Sequence, residues 1–200
     1  MREGDPTLDM NFKGRLTPAP PAGLLAGAAA LLMLLLLAPA ASAQAKLGEA
    51  AARQLRAQAE ECNRAFVEGD FGRLADYTYP KLVTLLGGRE KMVDYLRKSV
   101  AEMKADGFEP LSYAPSEPTQ VLRAGRETYA VVPATLRMRA PDGVLVSESF
   151  MIAVSADGGK TWKFLSGGSA TPAQLRALLP RVAGRLRPPA PAPVRREPAP

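Results

Sequence analysis

The chain has no histidine and one cysteine among its 200 residues, and only 6% of it is aromatic. Without histidine there is no Ser-His-Asp or Cys-His arrangement and no imidazole-bound zinc. Cys62 alone closes no internal disulfide and builds no thiolate metal site. No acidic cluster has calcium-loop spacing. Gly159-Lys160-Thr161 mimics the end of a phosphate loop, but the first glycine such a loop needs would fall at Val154. No metal or cofactor is therefore expected. What remains is the composition of an ordinary globular protein, 46% apolar and 23% charged. Its length favours one domain or two very small ones.

Residues 24–37 form one apolar run without a charge, preceded by Lys13 and Arg15 and followed by Ala41-Ser42-Ala43. A basic start, a short apolar core and an A-x-A site predict a secretory signal peptide over 1–43 and export to a periplasmic or extracellular space. The run is shorter than the roughly 20 residues of a spanning helix; the alternative is an uncleaved N-terminal membrane anchor. The full chain carries a net charge of +6, and from Arg181 onward there are five arginines and one glutamate. A basic end of this kind suits an anionic envelope surface. Export makes nucleic acid an unexpected partner.

Beyond residue 44 the hydrophobic period is helical first. Leu47, Ala51, Leu55, Ala59, Cys62 and Phe66 recur at steps of three and four over 46–68, ended by Gly69-Asp70. Cys62 lies on that stripe and reads as a small core residue. Short helical turns are expected on either side of Pro80, between Phe71 and Leu86. Gly87-Gly88 punctuates, and a third helical segment spans 89–106 with Gly107 after it.

From Thr119 the period becomes two. Strands are expected over 119–123, 127–139, 144–154 and 161–165. If one face of the sheet is buried, a three-residue loop Pro141-Asp142-Gly143 pairs Ala140 with Val144. Leu136 then opposes Glu148, Ala134 opposes Phe150, Val132 opposes Ile152, and Ala130 opposes Val154. Val154 opposite Trp162 and Ile152 opposite Phe164 would add the aromatics to that face. The fold class is α+β: three N-terminal helical segments packed on a curved antiparallel sheet. The domain reading is 1–43 signal peptide, 44–170 α+β domain, 171–187 basic amphipathic helix and 188–200 Pro-rich disordered tail.

A first helix ending in Phe66-Val67-Glu68-Gly69-Asp70, short helices around Tyr77-Thr78-Tyr79-Pro80, a third helix and then long antiparallel strands resemble the NTF2-like (SnoaL-like) superfamily. The resemblance covers about 46–168 and rests on the order of elements. It implies a cone in which helices and a curved sheet enclose a pocket. Members include isomerases, dehydratases and cyclases as well as non-catalytic binding and assembly modules, some paired through the sheet as homodimers. Fold therefore does not give function, and a dehydratase-type histidine pair is out of reach.

One strand position breaks its pattern. Glu148 falls on the apolar alternation between Val146 and Phe150, where a carboxylate is costly unless paired, hydrogen-bonded or protonated. In a cone that face would line the pocket. Glu148 is thus the candidate general base, its pKa raised by desolvation, with Tyr77, Tyr79, Tyr95 and Tyr113 as candidate ligand-binding hydroxyls. The structural reading of Glu148 is a pair with an arginine near the pocket mouth. Ser155-Ala156-Asp157-Gly158-Gly159-Lys160-Thr161-Trp162 resembles the Asp-box, S-x-D-x-G-x-x-W, whose role is to fix a hairpin turn. Thr171-Pro172 starts a final helix with stripe residues Leu175, Leu178, Leu179, Val182 and Leu186.

Two function classes follow. One is an exported non-catalytic module that binds a small apolar ligand or a protein partner. The other is a small-molecule isomerase or lyase using Glu148 and a tyrosine. The first is favoured because no second carboxylate, histidine or metal constellation accompanies Glu148.

Overall fold

The structure, a computed structural model, describes residues 45–168 and 170–198, which belong to one compact unit. The expected signal peptide lies outside the described residues. Among them, no helix is long and apolar enough to cross a membrane.

Four helices come first: α1 Glu49–Glu68, α2 Phe71–Tyr77, α3 Pro80–Leu85 and α4 Arg89–Ala105. Each break has a local cause. Gly69 adopts φ +76 and donates its N–H back to the Phe66 carbonyl, ending α1. Asp70 caps α2 by accepting from the Arg73 N–H, and Pro80 occupies the first turn of α3, where no N–H is needed.

Strands β1 Glu109–Pro115, β2 Gln120–Ala124, β3 Glu127–Ala140, β4 Gly143–Ser155 and β5 Lys163–Ser166 follow, then α5 Pro172–Leu178 and β6 Arg195–Glu197. They make one curled, six-stranded antiparallel sheet with β3 and β4 at its centre. β1 and β2 both pair with β3, and β5 and β6 both pair with β4. β1 was not anticipated: its sequence, Glu-Pro-Leu-Ser-Tyr-Ala-Pro, has a proline near each end and no alternation, and its ladder with β3 slips between Pro110 and Ser112.

The hairpin register differs by one residue from the expected one. Ala140 pairs with Gly143 across the two-residue turn Pro141-Asp142, so Glu148 opposes Thr135 and not Leu136. Val132 opposes Met151, and Ala130 opposes Ala153. The β5 ladder is displaced in the same way: Val154 opposes Lys163, and Ile152 opposes Leu165. The expected register assumed a single buried face. Both faces are buried, and the two apolar sets lie on opposite sides of the sheet.

On one side Ala130, Val132, Met151, Ala153, Trp162 and Phe164 pack with Leu55, Ala59 and Cys62 of α1. On the other, Tyr129, Val131, Ile152, Val154 and Leu165 pack with Leu178, Leu179, Val182 and Leu186 of the C-terminal segment. Each fully buried Leu-sized side chain contributes about 1.5–3 kcal/mol, so a second face covered this way is a major source of stability. The segment is anchored at its start by a capping box between Thr171 and Gln174. At its end the Gln120 amide donates to the Arg185 carbonyl and accepts from the Arg187 N–H.

The tail, expected to be disordered, also contributes to the sheet. Arg195, Arg196 and Glu197 pair with Val146, Leu145 and Val144. Their side chains form ion pairs with Glu148, Asp142 and Arg137 respectively.

Candidate functional site

A cavity of about 550 Å³ lies between the helices and the curled sheet. Cys62, Asn63 and Phe66 of α1 form one wall; Leu82, Met92 and Leu96 of α3 and α4 form another. Tyr113, Leu136, Ser149, Met151 and Phe164 close it from β1, β3, β4 and β5. Leu86 and Tyr95 also line it and are exposed, Tyr95 by 61%, which places them at the mouth.

Of the four candidate tyrosines, two line this cavity. Tyr95 stands at the mouth, and Tyr113 packs edge-on against Phe66 with ring centroids 6.2 Å apart. Burial raises the Tyr113 phenol above its ordinary value, partly opposed by its hydrogen bond with the Ser149 side chain. Tyr77 instead packs against Phe164 in the helix-side core. Tyr79 is buried in the core on the other side of the sheet, and burial raises its phenol too.

Glu148 is not where the expected register put it. It is among the cavity's lining residues, yet its side chain is 45% exposed. Thr135 Oγ1 donates to one carboxylate oxygen at 2.9 Å, and Arg195 donates to the other at 3.3 Å. Alternation along β4 puts Glu148 with Val146, Ile152 and Val154, on the face that carries the C-terminal segment. Ser147, Ser149 and Met151 are the β4 residues of the cavity face, and the bond from Arg195 is the arginine pair that was the structural reading of Glu148.

The polar groups of the lining are mostly satisfied from within the protein. Thr78 Oγ1 donates to the Leu74 carbonyl at 2.9 Å. Burial pushes the Cys62 thiol up to about 12, so it is neutral and unreactive near neutral pH. Asn63 is different. It is 2% exposed, and its Nδ2 has no hydrogen-bond partner among the described residues. Sequence reasoning missed it, although a signal existed: Asn63 follows Ala59 by four residues, within the apolar stripe of α1.

Among the described residues no group of three or more acidic, cysteine or histidine side chains could hold a metal. No family model and no curated protein matches this chain. Function has to be argued from the cavity.

At the far end of the sheet, residues 155–162 build a rigid turn. Asp157 accepts from the Ser155 hydroxyl, the Lys160 and Thr161 N–H groups and the Thr161 hydroxyl. The Trp162 indole, fully buried, donates to the Gly159 carbonyl at 3.1 Å. Gly159 has φ +94, and a Cβ there would sit 2.4 Å from that of Ala51. This hairpin fixes α1 against β5, since Gln58 accepts from the Trp162 N–H and donates to the Lys160 carbonyl. It contributes to the scaffold and lies outside the cavity.

Proposed function

We propose that the chain is an exported, non-catalytic binding module of NTF2-like form, which holds a small apolar ligand in the cavity between α1, α3, α4 and the sheet. The observation that carries this reading is the cavity itself. Its volume falls in the range of roughly 300–1,000 Å³ typical of small-molecule sites, and its lining is mainly aliphatic and aromatic with a few polar groups. The order of helices and strands and the curl of the sheet support the NTF2-like comparison. The basic start, apolar run and A-x-A site before residue 44 support export.

The position of Glu148 argues against the enzyme reading. Its carboxylate is held by Thr135 and Arg195, which supports a structural role for it. The arginines of the C-terminal segment, Arg176, Arg181, Arg185 and Arg187, remain exposed while its leucines are buried. We assign that basic outer side to contact with an anionic envelope surface.

A thermal-shift screen of the purified protein against small lipophilic compounds tests the ligand reading. A ligand at 100 times its dissociation constant stabilises by about 2.7 kcal/mol, or several degrees at this chain length. Leu136→Trp, which places an indole in the cavity, should abolish the shift while the free variant still melts cooperatively. A library that shifts neither protein, or both equally, would overturn the assignment.

A further inference from the structure

We infer that the lip of the cavity, formed by Leu85, Leu86 and Tyr95, docks on an anionic lipid bilayer. These are three of the five large apolar side chains that are exposed among the described residues, Leu85 by 70%, Tyr95 by 61% and Leu86 by 36%. A single exposed leucine needs no explanation, but these three gather at one place. Leu86 and Tyr95 both line the mouth of the cavity, and Leu85 precedes Leu86 at the end of α3. The apolar surface of the lip therefore continues into the apolar lining.

The lip is held out by the backbone. The Gly87 and Gly88 N–H groups donate to the Thr84 and Val83 carbonyls at 3.0 and 2.9 Å, which closes the turn between α3 and α4. Arg89, the first residue of α4, donates to Asp76 and to the Gly72 carbonyl, so the turn is tied to α2. The charge around the lip indicates what covers it. Lys81 lies one helical turn before Leu85, and Lys91 one turn before Tyr95, each on the same helix face. Both lysines are exposed. The neighbouring Arg89, Arg97 and Lys98 are engaged by Asp76, Asp94 and Glu102, while Lys81 and Lys91 have no ion-pair partner among the described residues. Over 81–98 there are five basic and two acidic side chains.

Apolar side chains set between free lysines suit an anionic bilayer. Leucines enter the acyl boundary, a tyrosine sits at headgroup level with its hydroxyl wet, and lysine stems reach back to the phosphates. A second copy of the chain fits less well. Three side chains fall far short of the about 800 Å² per partner that a stable protein interface buries. A self-complementary contact would also bring four unpaired lysines together. Docking of the lip does not require a ligand in the cavity, so the two can be tested apart.

The test uses the purified protein with one environment-sensitive dye on an introduced cysteine, Leu85→Cys in one variant and Arg176→Cys in another. Cys62 is buried and its thiol is raised to about 12, so the introduced thiol is the one that reacts. Each dye reports its own surroundings, so membrane contact made elsewhere in the chain does not imitate docking of the lip. With vesicles of equal parts phosphatidylglycerol and phosphatidylcholine, emission from the dye at 85 should shift to the blue and brighten severalfold. Pure phosphatidylcholine should change it little. Lys81→Gln with Lys91→Gln should lower the docked-to-undocked ratio about 25-fold, about fivefold for each lysine near an anionic surface. Leu86→Ser with Tyr95→Ser should abolish the response while the variant still melts cooperatively.

A dye at 85 that stays unchanged, or a response that survives both pairs of substitutions, would overturn the inference. If the dye at 176 moves instead, the contact belongs to the C-terminal arginines. An equal response to both vesicle types would overturn the anionic class. A response that grows with protein concentration in the absence of vesicles would mean that a second copy covers the lip, and would overturn the bilayer. None of these results bears on the ligand reading, which the thermal-shift screen decides by itself.

Discussion

Asp157 accepts four hydrogen bonds within the seven residues 155–161, two of them from backbone amides. The backbone bond from Thr161, followed by the hydroxyl of the same residue, holds its carboxyl well below the usual carboxylate range. A carboxyl whose pKa is lower folded than unfolded stabilises above its unfolded value, about 4, and loses that contribution as pH falls toward the folded value. Asp157→Asn should therefore lower the melting temperature at pH 7. The gap between variant and parent should narrow steadily below about pH 4; a gap independent of pH would mean that charge plays no part. Cys62 has the opposite sign. Its thiol is raised to about 12 by burial, so its contribution is complete below the unfolded value of about 8.5 and is lost as pH rises through the folded one. A thiol reagent at pH 8 should label the native protein slowly and the denatured chain at once. At this scale the sequence was readable where a residue's neighbours in the chain settle its role, as for Asp157 and Cys62. At Glu148 the sequence offered a base or a partner of an arginine without choosing the arginine, because its partners Thr135 and Arg195 are 13 and 47 residues away.

The helices were legible as elements because glycine and proline mark their ends and only one face of each meets the core. α1 ends at Gly69, α2 and α3 are divided before Pro80, and α4 stops just before Gly107. The strands were legible as strands but not in register. Tyr129 to Val132 and Met151 to Val154 are apolar at every position, so alternation there does not distinguish one face from the other. The deciding information is the C-terminal segment, which supplies a second cover. Its weight can be measured. Leu179 is 1% exposed, and Leu179→Ala should cost about 2–5 kcal/mol in denaturant unfolding. Arg176→Ala, on the exposed side of α5, should stay within about 0.5 kcal/mol of the parent. Comparable losses in the two variants would mean that the segment does not pack as described.

For the molecule as a whole, the two ends of the C-terminal region should behave differently. A chain stopped after Arg187 loses β6 and three exposed ion pairs, each worth about 0–1 kcal/mol, and should remain folded. A chain stopped after Gly168 uncovers Tyr129, Val131, Ile152, Val154 and Leu165 together. It should bind a hydrophobic dye and aggregate. If it melts like the parent, the second core is dispensable. The cavity was foreseen only as a consequence of the NTF2-like resemblance, and of the five residues expected around it Tyr95, Tyr113 and Glu148 line it while Tyr77 and Tyr79 do not. What shapes it is the curl of β3 and β4, and the groups that line it come from α1, α2, α3, α4 and four strands. No local pattern brings those residues together.

The late position of the second cover has a consequence for how the protein is made. Synthesis runs from the N-terminus, and segments fold as they emerge where their contacts are already present. Here Val131 and Ile152 wait for Leu179 and Val182, so the sheet is apolar on one side until that segment has been made. A nascent chain of this kind cannot close early. It keeps Tyr129, Val131, Ile152 and Val154 uncovered together until that segment arrives.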